Sequence, residues 1–404
     1  MTKFYKIALP AVFLLALAAL AITGYNKPAA EKAVSDAALY DQLNIFGEAV
    51  DMLRAGYVEP VDSKKLIHGA MSGMLSSLDE YSQFLEKSEY EELEADSKGE
   101  FGGVGIEISI RDGILTVISP IDGSPAEASG IRPGDKIIKI DKKATEGMAI
   151  SEAVDMMRGD PGTAVTLTIW REKGDKVSDV LLRRAMIKTK SVKTSEMLDN
   201  DVGYIKIVEF QENTARDLDE VLAKLEKSGM KALILDLRNN PGGLLDTASD
   251  VAERFLKKGS VVVSVKSRVS DDSEVFRSSG DFTRPYYPIV VLVNGGSASA
   301  SEVVAGAIQD NKRGKILGVR TFGKASIQAV APLKDGSAIR FTSAYYYTPG
   351  NRLIKKDGIM PDVIVESDDK DIGSGAEEKA RDDKNDIQLK KALELMHGEI
   401  SPQG

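Results

Sequence analysis

Apolar positions fall into four successive patterns along the chain, each predicting a different kind of element. The first is unbroken: Ile7 to Thr23 carries no charge and follows Lys3 and Lys6. A basic start and an apolar run of that length read as a secretory leader, or as an anchor at the lower limit for crossing a bilayer. Small residues at Ala19-Leu20-Ala21 suit a cleavage site. Residues 1–24 are therefore expected to direct export, whether cleaved or retained through 7–23 in the inner membrane. The remainder would then be periplasmic or otherwise extracytoplasmic. Residues 25–38, polar and alanine-rich, read as a tether.

The second pattern is helical. Leu43, Phe46, Val50 and Leu53 recur at three- to four-residue steps, and Leu66, Met71, Met74 and Leu75 repeat the motif. Such spacing predicts amphipathic helices over 39–98 that pack on the following domain or on a second copy of the chain. From 99 to 184 the texture changes to short strands and turns. Val104–Ile108 and Ile114–Ile118 flank an Arg111-Asp-Gly113 turn, and Ser124-Pro125 opens a short helix. A second helix is predicted over Ile150–Arg158 and a strand over Ala164–Arg171. Between Val202 and Glu366 strands and helices alternate, which implies a sheet covered by helices. Residues 367–404 read as an acidic, solvated tail that ends in a short helix reaching His397. The fold class expected is α+β and multidomain: an N-terminal helical segment, a compact strand-rich domain with two helices, and an α/β core.

Composition narrows the chemistry. The 404 residues are 42% apolar and 28% charged, with a net charge of −9 and a pI near 5.1. A nucleic-acid partner would want a basic face, so none is expected. Cysteine is absent and only His68 and His397 supply imidazole. Thiolate nucleophiles and thiolate zinc sites are thereby excluded, and no metal or organic cofactor is called for. A hydrolase built on this chain needs another base, and lysine beside serine is the natural pair.

Three segments could carry it. Asn294-Gly-Gly-Ser-Ala-Ser-Ala-Ser-Glu302 joins a strand to a helix, so a hydroxyl-rich turn faces the N–H groups and positive dipole end of that helix. Ser299-x-x-Glu302 is equally a capping box in which the serine merely caps, and Ser297 and Ser301 remain rivals. Asp236-Leu-Arg-Asn-Asn-Pro-Gly-Gly243 ends another strand, where Gly242 and Gly243 could turn backbone N–H groups toward an oxyanion or simply supply unusual dihedrals. Lys324, after Gly323, must be neutral to act as base. Its reference pKa of about 10.4 would have to fall by about 3, equivalent to about 4 kcal/mol. Gln328 could aim the amine by accepting a hydrogen bond from it, although four residues of straight strand span about 13 Å.

Taken together, these segments resemble the carboxyl-terminal processing (tail-specific) proteases, the S41 serine peptidases. The likeness covers nearly the whole chain. It rests on Ser297-Ala-Ser-Ala-Ser-Glu302, Thr321-Phe-Gly-Lys324 with Gln328, and Asp236–Gly243. The interval of 25 residues from Ser299 to Lys324 matches the family and selects Ser299 over its neighbours. The resemblance implies Ser299 as nucleophile, Lys324 as general base and Gln328 as its orienter. It further implies an oxyanion hole from Ala300 and Gly242 or Gly243, and a core over 185–366 of the crotonase-like, ClpP-like type. Ala325 departs from the glycine usual after the lysine and calls for a negative φ there.

The 99–184 segment resembles the family's inserted PDZ domain. Phe101-Gly-Gly-Val-Gly-Ile106 (Phe101, Gly102, Gly103, Val104, Gly105, Ile106) would be its carboxylate-binding loop, with strand addition along Val104–Ile108. Ala153, Met156 and Met157 would line its pocket or pack its core, and Arg158 would couple peptide capture to catalytic alignment. The implied partner is a protein substrate with a free C-terminus, and residues 39–98 offer a homodimer contact. Two other classes compete: a catalytically silent PDZ adaptor, and acyl-CoA chemistry on a crotonase-like fold.

Overall fold

Three runs, Val202–Ile207, Ala232–Asp236 and Ile289–Val293, are almost continuously apolar, as strands covered on both faces must be. The computed structural model describes residues 29–366 and 386–400, apart from 112, 172–174, 200, 269–273, 281–283 and 356. The leader and the acidic stretch 367–385 lie outside the described residues. The chain divides into two compact units.

One unit takes in residues up to Lys87 together with Lys266–Glu274 and Ile327–Tyr345. Its first helix, Ala29–Gly56, starts well inside the segment read as a tether. Alanine, glutamate and lysine at 29–33 are strong helix formers, and propensity prevails over polar composition there. Leu39, Leu43, Phe46 and Leu53 on this helix are exposed. Helix Ser63–Ser76 begins at Asp62, whose carboxylate accepts from Lys64 N–H at 2.8 Å. Strand Gln83–Leu85 pairs antiparallel with Ala338–Arg340, on the hairpin formed by Ser326–Pro332 and Ala338–Tyr347. Buried His68 sits between Glu86 (Nδ1 to Oε1, 2.6 Å) and Asp335 (Nε2 to Oδ2, 3.4 Å).

The other unit holds the inserted domain and the core. A five-stranded antiparallel path runs in the order 106–111, 114–120, 136–140, 164–171, 176–183, leaving Ile106–Arg111 at its edge. Leu115, Val117, Ile137, Ile140, Leu167 and Ile169 pack beneath helix Ile150–Met157. The chain enters along Glu100–Gly103 and leaves along Ala185–Lys188, and these two segments pair with each other as an insertion requires.

The core sheet runs 192–198, 202–207, 232–236, 289–293, 315–318, 363–364, parallel except for its first pair. The short helix expected near the end of the chain is present and runs on to Ile400. Helix Ile387–Ile400 covers one face of the sheet, with Leu389, Ala392 and Met396 packed on Tyr204, Ile234 and Leu292. In open parallel sheets ligands gather beyond the carboxyl ends of the strands. Here those ends carry Asp236–Gly243 and Asn294–Ser299.

Candidate active site

The two turns are locked by side-chain amides and hydroxyls. Asn240 is wholly buried: Nδ2 donates to Ile207 O (2.9 Å), and Oδ1 accepts from Gly242 N–H (2.9 Å). Asn239, with φ 60°, receives the Asn294 amide on its Oδ1 (2.8 Å) and donates its N–H to Asn294 Oδ1 (2.9 Å). Gly242 and Gly243 take φ of 116° and 133°. A Cβ on Gly243 would lie 2.3 Å from Phe210 O, and one on Gly242 would lie 2.8 Å from Ser299 Cβ and 3.0 Å from Ala300 N. The glycine turn therefore presses directly on the serine turn, a closeness that any side chain would prevent.

The three serines are treated differently. Ser297 Oγ donates to Leu237 O (2.8 Å) and accepts from Asn294 N–H (3.0 Å). Ser301 Oγ donates to Asn240 O (2.9 Å), and both residues are 0% exposed. Ser299 is only half-buried and takes φ 53°, ψ −114°, a strained conformation unlike the extended backbone of an ordinary capping serine. Its backbone N–H donates to Glu302 Oε2 (2.9 Å).

Glu302 also reaches the lysine loop. Its fully buried carboxylate accepts from Thr321 Oγ1 (2.6 Å), Gly323 N–H (2.7 Å) and Lys324 N–H (2.9 Å). Burial pushes its pKa up, against the pull of these donors. Tyr346 lies within hydrogen-bond reach of Ser299 O (3.1 Å), Glu302 and Lys324 O, and burial followed by the charge of Glu302 drives its phenol well above the usual range. One carboxylate and one phenol thus tie the Ser299 and Lys324 backbones together. Sequence reading saw Glu302 only as a helix cap. Tyr346, 44 residues further on, carries no local signal at all.

Backbone donors divide as sharply. Gly242 N–H is spent on Asn240, whereas neither Gly243 N–H nor Ala300 N–H donates a hydrogen bond among the described residues. Lys324 is partly buried after Gly323 at φ 90°, while buried Ala325 keeps out of the left-handed region. In the other unit, Gln328 donates from Nε2 to Thr342 Oγ1 (3.0 Å), and its Oε1 is buried without a partner. No group of three or more His, Asp or Glu among the described residues is arranged to hold a metal ion.

In the inserted domain, Gly105 (φ 75°) would place a Cβ 2.3 Å from Ser124 Cβ, and Gly102 one 2.4 Å from Gly159 O. Phe101 and Gly103 line the incoming strand, Val104 O accepts from Ala126 N–H (3.0 Å), and Ile106 begins the edge strand. Ala153 and Met157 are core residues, at 0% and 5% exposure, and so do not line an open pocket; Met156 is partly buried. Arg158 pairs with Glu92 and with Asp96 (3.7 Å), and its guanidinium lies 5.0 Å from the Phe101 ring centroid.

Comparison with known proteins gives this geometry its context. Residues 201–365 match Peptidase family S41, 116–171 a PDZ domain, and 19–89 the N-terminal domain of the activating protease CtpB. The chain is 42% identical over 393 residues to a carboxy-terminal-processing protease of Bartonella bacilliformis, with 90% of each covered. It is 36% identical over 368 residues to the carboxy-terminal processing protease CtpA of Bacillus subtilis, covering 91% of this chain and 77% of that one. A putative S41 protease of Bacteroides fragilis shares the fold at 16% identity and a TM-score of 0.51, over 86% of this chain and 96% of the other. With two relatives above a third identical along nine-tenths of its length, the chain belongs to the PDZ-containing S41 family of serine-type, carboxy-terminal processing peptidases.

Proposed function

We propose that the protein is an exported endopeptidase that captures protein C-termini in its PDZ domain and cleaves by a Ser–Lys mechanism. The observation that carries this is the shared clamp: Ser299, strained and half-buried, and Lys324 hang from the same buried Glu302 carboxylate. Neutral Lys324 takes the Ser299 Oγ proton as Oγ attacks the scissile carbonyl. The oxyanion is met by Gly243 and Ala300, since Gly242 N–H is already engaged. Lys324 returns the proton to the leaving amine, and water then hydrolyses the acyl-enzyme by the same route. The family resemblance assigns Gln328 the role of orienting the amine. The core is of the crotonase-like, ClpP-like type.

Peptide enters by strand addition along Ile106–Arg111, with its carboxylate on the 101–106 loop and Arg158 reporting occupancy to the core. The basic start and uncharged apolar run within residues 1–24 support export, with the enzyme outside the cytoplasmic membrane, released or anchored. The exposed apolar positions of helix 29–56 favour homodimerisation through 39–98. Ser299→Ala and Lys324→Met should each abolish cleavage of an unfolded protein substrate while leaving C-terminal peptide binding intact. Full turnover in Lys324→Met would end the Ser–Lys reading, and cleavage-free wild type would favour the adaptor. Fractionation of intact cells tests export, and sedimentation of 39–98 surface variants tests the dimer.

A further inference from the structure

The residue just ahead of the oxyanion turn is held by the far end of the chain. Arg238 follows strand Ala232–Asp236 by two positions and directly precedes Asn239, Asn240 and the glycine pair. Its guanidinium grips Asp236 through Nε (3.0 Å to Oδ2) and Nη2 (2.6 Å), and Asp236 Oδ2 also accepts from Tyr204 Oη (2.7 Å). On its other side it meets Asp386 twice, Nη1 to Oδ1 at 3.0 Å and Nη2 to Oδ2 at 2.8 Å, and Gln388 Oε1 at 3.2 Å. Asp386 in turn caps helix Ile387–Ile400 through Leu389 N–H (2.9 Å), and Gln388 Nε2 holds Val365 O (2.8 Å).

A two-sided, bidentate grip on a mostly buried guanidinium fixes both position and orientation, which a surface ion pair does not. The Arg238 side chain is therefore a rigid joint between the C-terminal helix and the strand end that leads to Gly243. Misplacing a catalytic donor by even 1 Å costs about a hundredfold in rate.

We propose that Arg238 is a positioning residue for the oxyanion turn, and that Asp386 and Gln388 make the C-terminal helix a working part of the active-site scaffold. This rests on the reading of Gly243 and Ala300 as oxyanion donors. Neither Arg238 nor Asp386 touches substrate; both act through the backbone of 239–243.

The test uses the full-length enzyme and a protein substrate carrying a PDZ-binding C-terminus. Asp386→Asn is nearly isosteric, removes the charge and turns one of the two acceptor oxygens into a donor that Arg238 cannot use. It is expected to lower kcat about tenfold or more with KM within twofold, and to weaken a peptide boronate, which mimics the oxyanion, by a similar factor. C-terminal peptide binding to the PDZ domain should not change. Arg238→Lys, which keeps the charge but loses the fork, should fall between wild type and Arg238→Gln. Unchanged kcat and boronate affinity in Asp386→Asn, with only a lowered Tm, would reduce the joint to scaffolding and overturn the proposal. Gly243→Ala separates the two readings. If it destroys boronate binding while Asp386→Asn does not, only the positioning role fails. If Gly243→Ala retains full kcat, the oxyanion assignment fails and the proposal with it.

Discussion

The turns at the core strand ends and the glycine loop of the PDZ domain are both built on glycine backbone, yet they treat their surroundings in opposite ways. In the core, Asn240, Asn294, Ser297, Ser301 and Glu302 are buried, and each is hydrogen-bonded across to a neighbouring turn or loop. In the PDZ domain, strand Ile106–Arg111 stands at the sheet edge with none of its residues fully buried. The contrast suits the two tasks proposed for them. Chemistry needs donors fixed before the transition state forms, whereas capture needs an unpaired strand that a varied peptide can join.

The largest effect that could break this comparison concerns the serines. Ser299→Ala should reduce turnover by about 10⁴-fold or more and leave Tm nearly unchanged. Ser297→Ala and Ser301→Ala should instead cost about 1–3 kcal/mol each, because each deserts a buried partner, while the folded enzyme keeps most of its activity. Denaturant unfolding and turnover measured on the same three proteins decide it. A dead, fully stable Ser297 or Ser301 variant would move the nucleophile.

Next come the glycines, where one substitution probes both regions. Gly243→Ala forces a methyl within 2.3 Å of Phe210 O and should lower kcat by about 10²–10³ with peptide capture intact. Gly105→Ala forces one within 2.3 Å of Ser124 Cβ and should weaken C-terminal peptide binding by about tenfold or more, raising KM far more than it lowers kcat. Equal losses of kcat in the two variants would mean that the regions are not functionally distinct.

Much of this was legible in residue order, and the exceptions have physical causes. Strands 232–236 and 289–293 announce themselves because burial on both faces demands unbroken apolar runs. Ser299 could not be told from Ser297 and Ser301 by local pattern, since the distinction lies in partners at Leu237 and Asn240, some sixty residues away. Glu302 satisfied the capping-box spacing, which hid its bonds to Thr321, Gly323 and Lys324. The last helix was expected, but its place against the core sheet was not legible. Its stripe of Leu389, Ala392 and Met396 announces a helix, but only the sheet shows what that stripe covers.

A smaller effect follows from pH. Burial pushes the Asp386 carboxyl up, but the hydrogen bonds and charge of Arg238 outweigh it and hold the pKa below its ordinary 3.8. The unfolded chain therefore takes up this proton first as pH falls. Stability from the contact is complete above about pH 4 and is lost as pH drops through the lower folded value. Thermal melts of wild type and Asp386→Asn between pH 6 and 3 should converge toward the acid end. Parallel curves would show that the ion pair adds nothing to the docking of the C-terminal helix.

The smallest effect tests how finely the PDZ domain separates core from groove. Met156 and Met157 are adjacent on helix Ile150–Met157, so successive side chains point about 100° apart. Met157 lies within the apolar core, and truncation to alanine should cost about 2–5 kcal/mol. Partly buried Met156 has less to lose, and its alanine variant should shift peptide affinity by a few-fold with little change in Tm. If the edge strand and its facing helix share the groove as proposed, the affinity change should depend on the last side chain of the peptide. Peptides differing only in that residue, titrated against both variants, give the reading. If Met157→Ala changed peptide preference while Met156→Ala changed stability, the helix would be turned relative to the sheet and the groove would be lined by other residues.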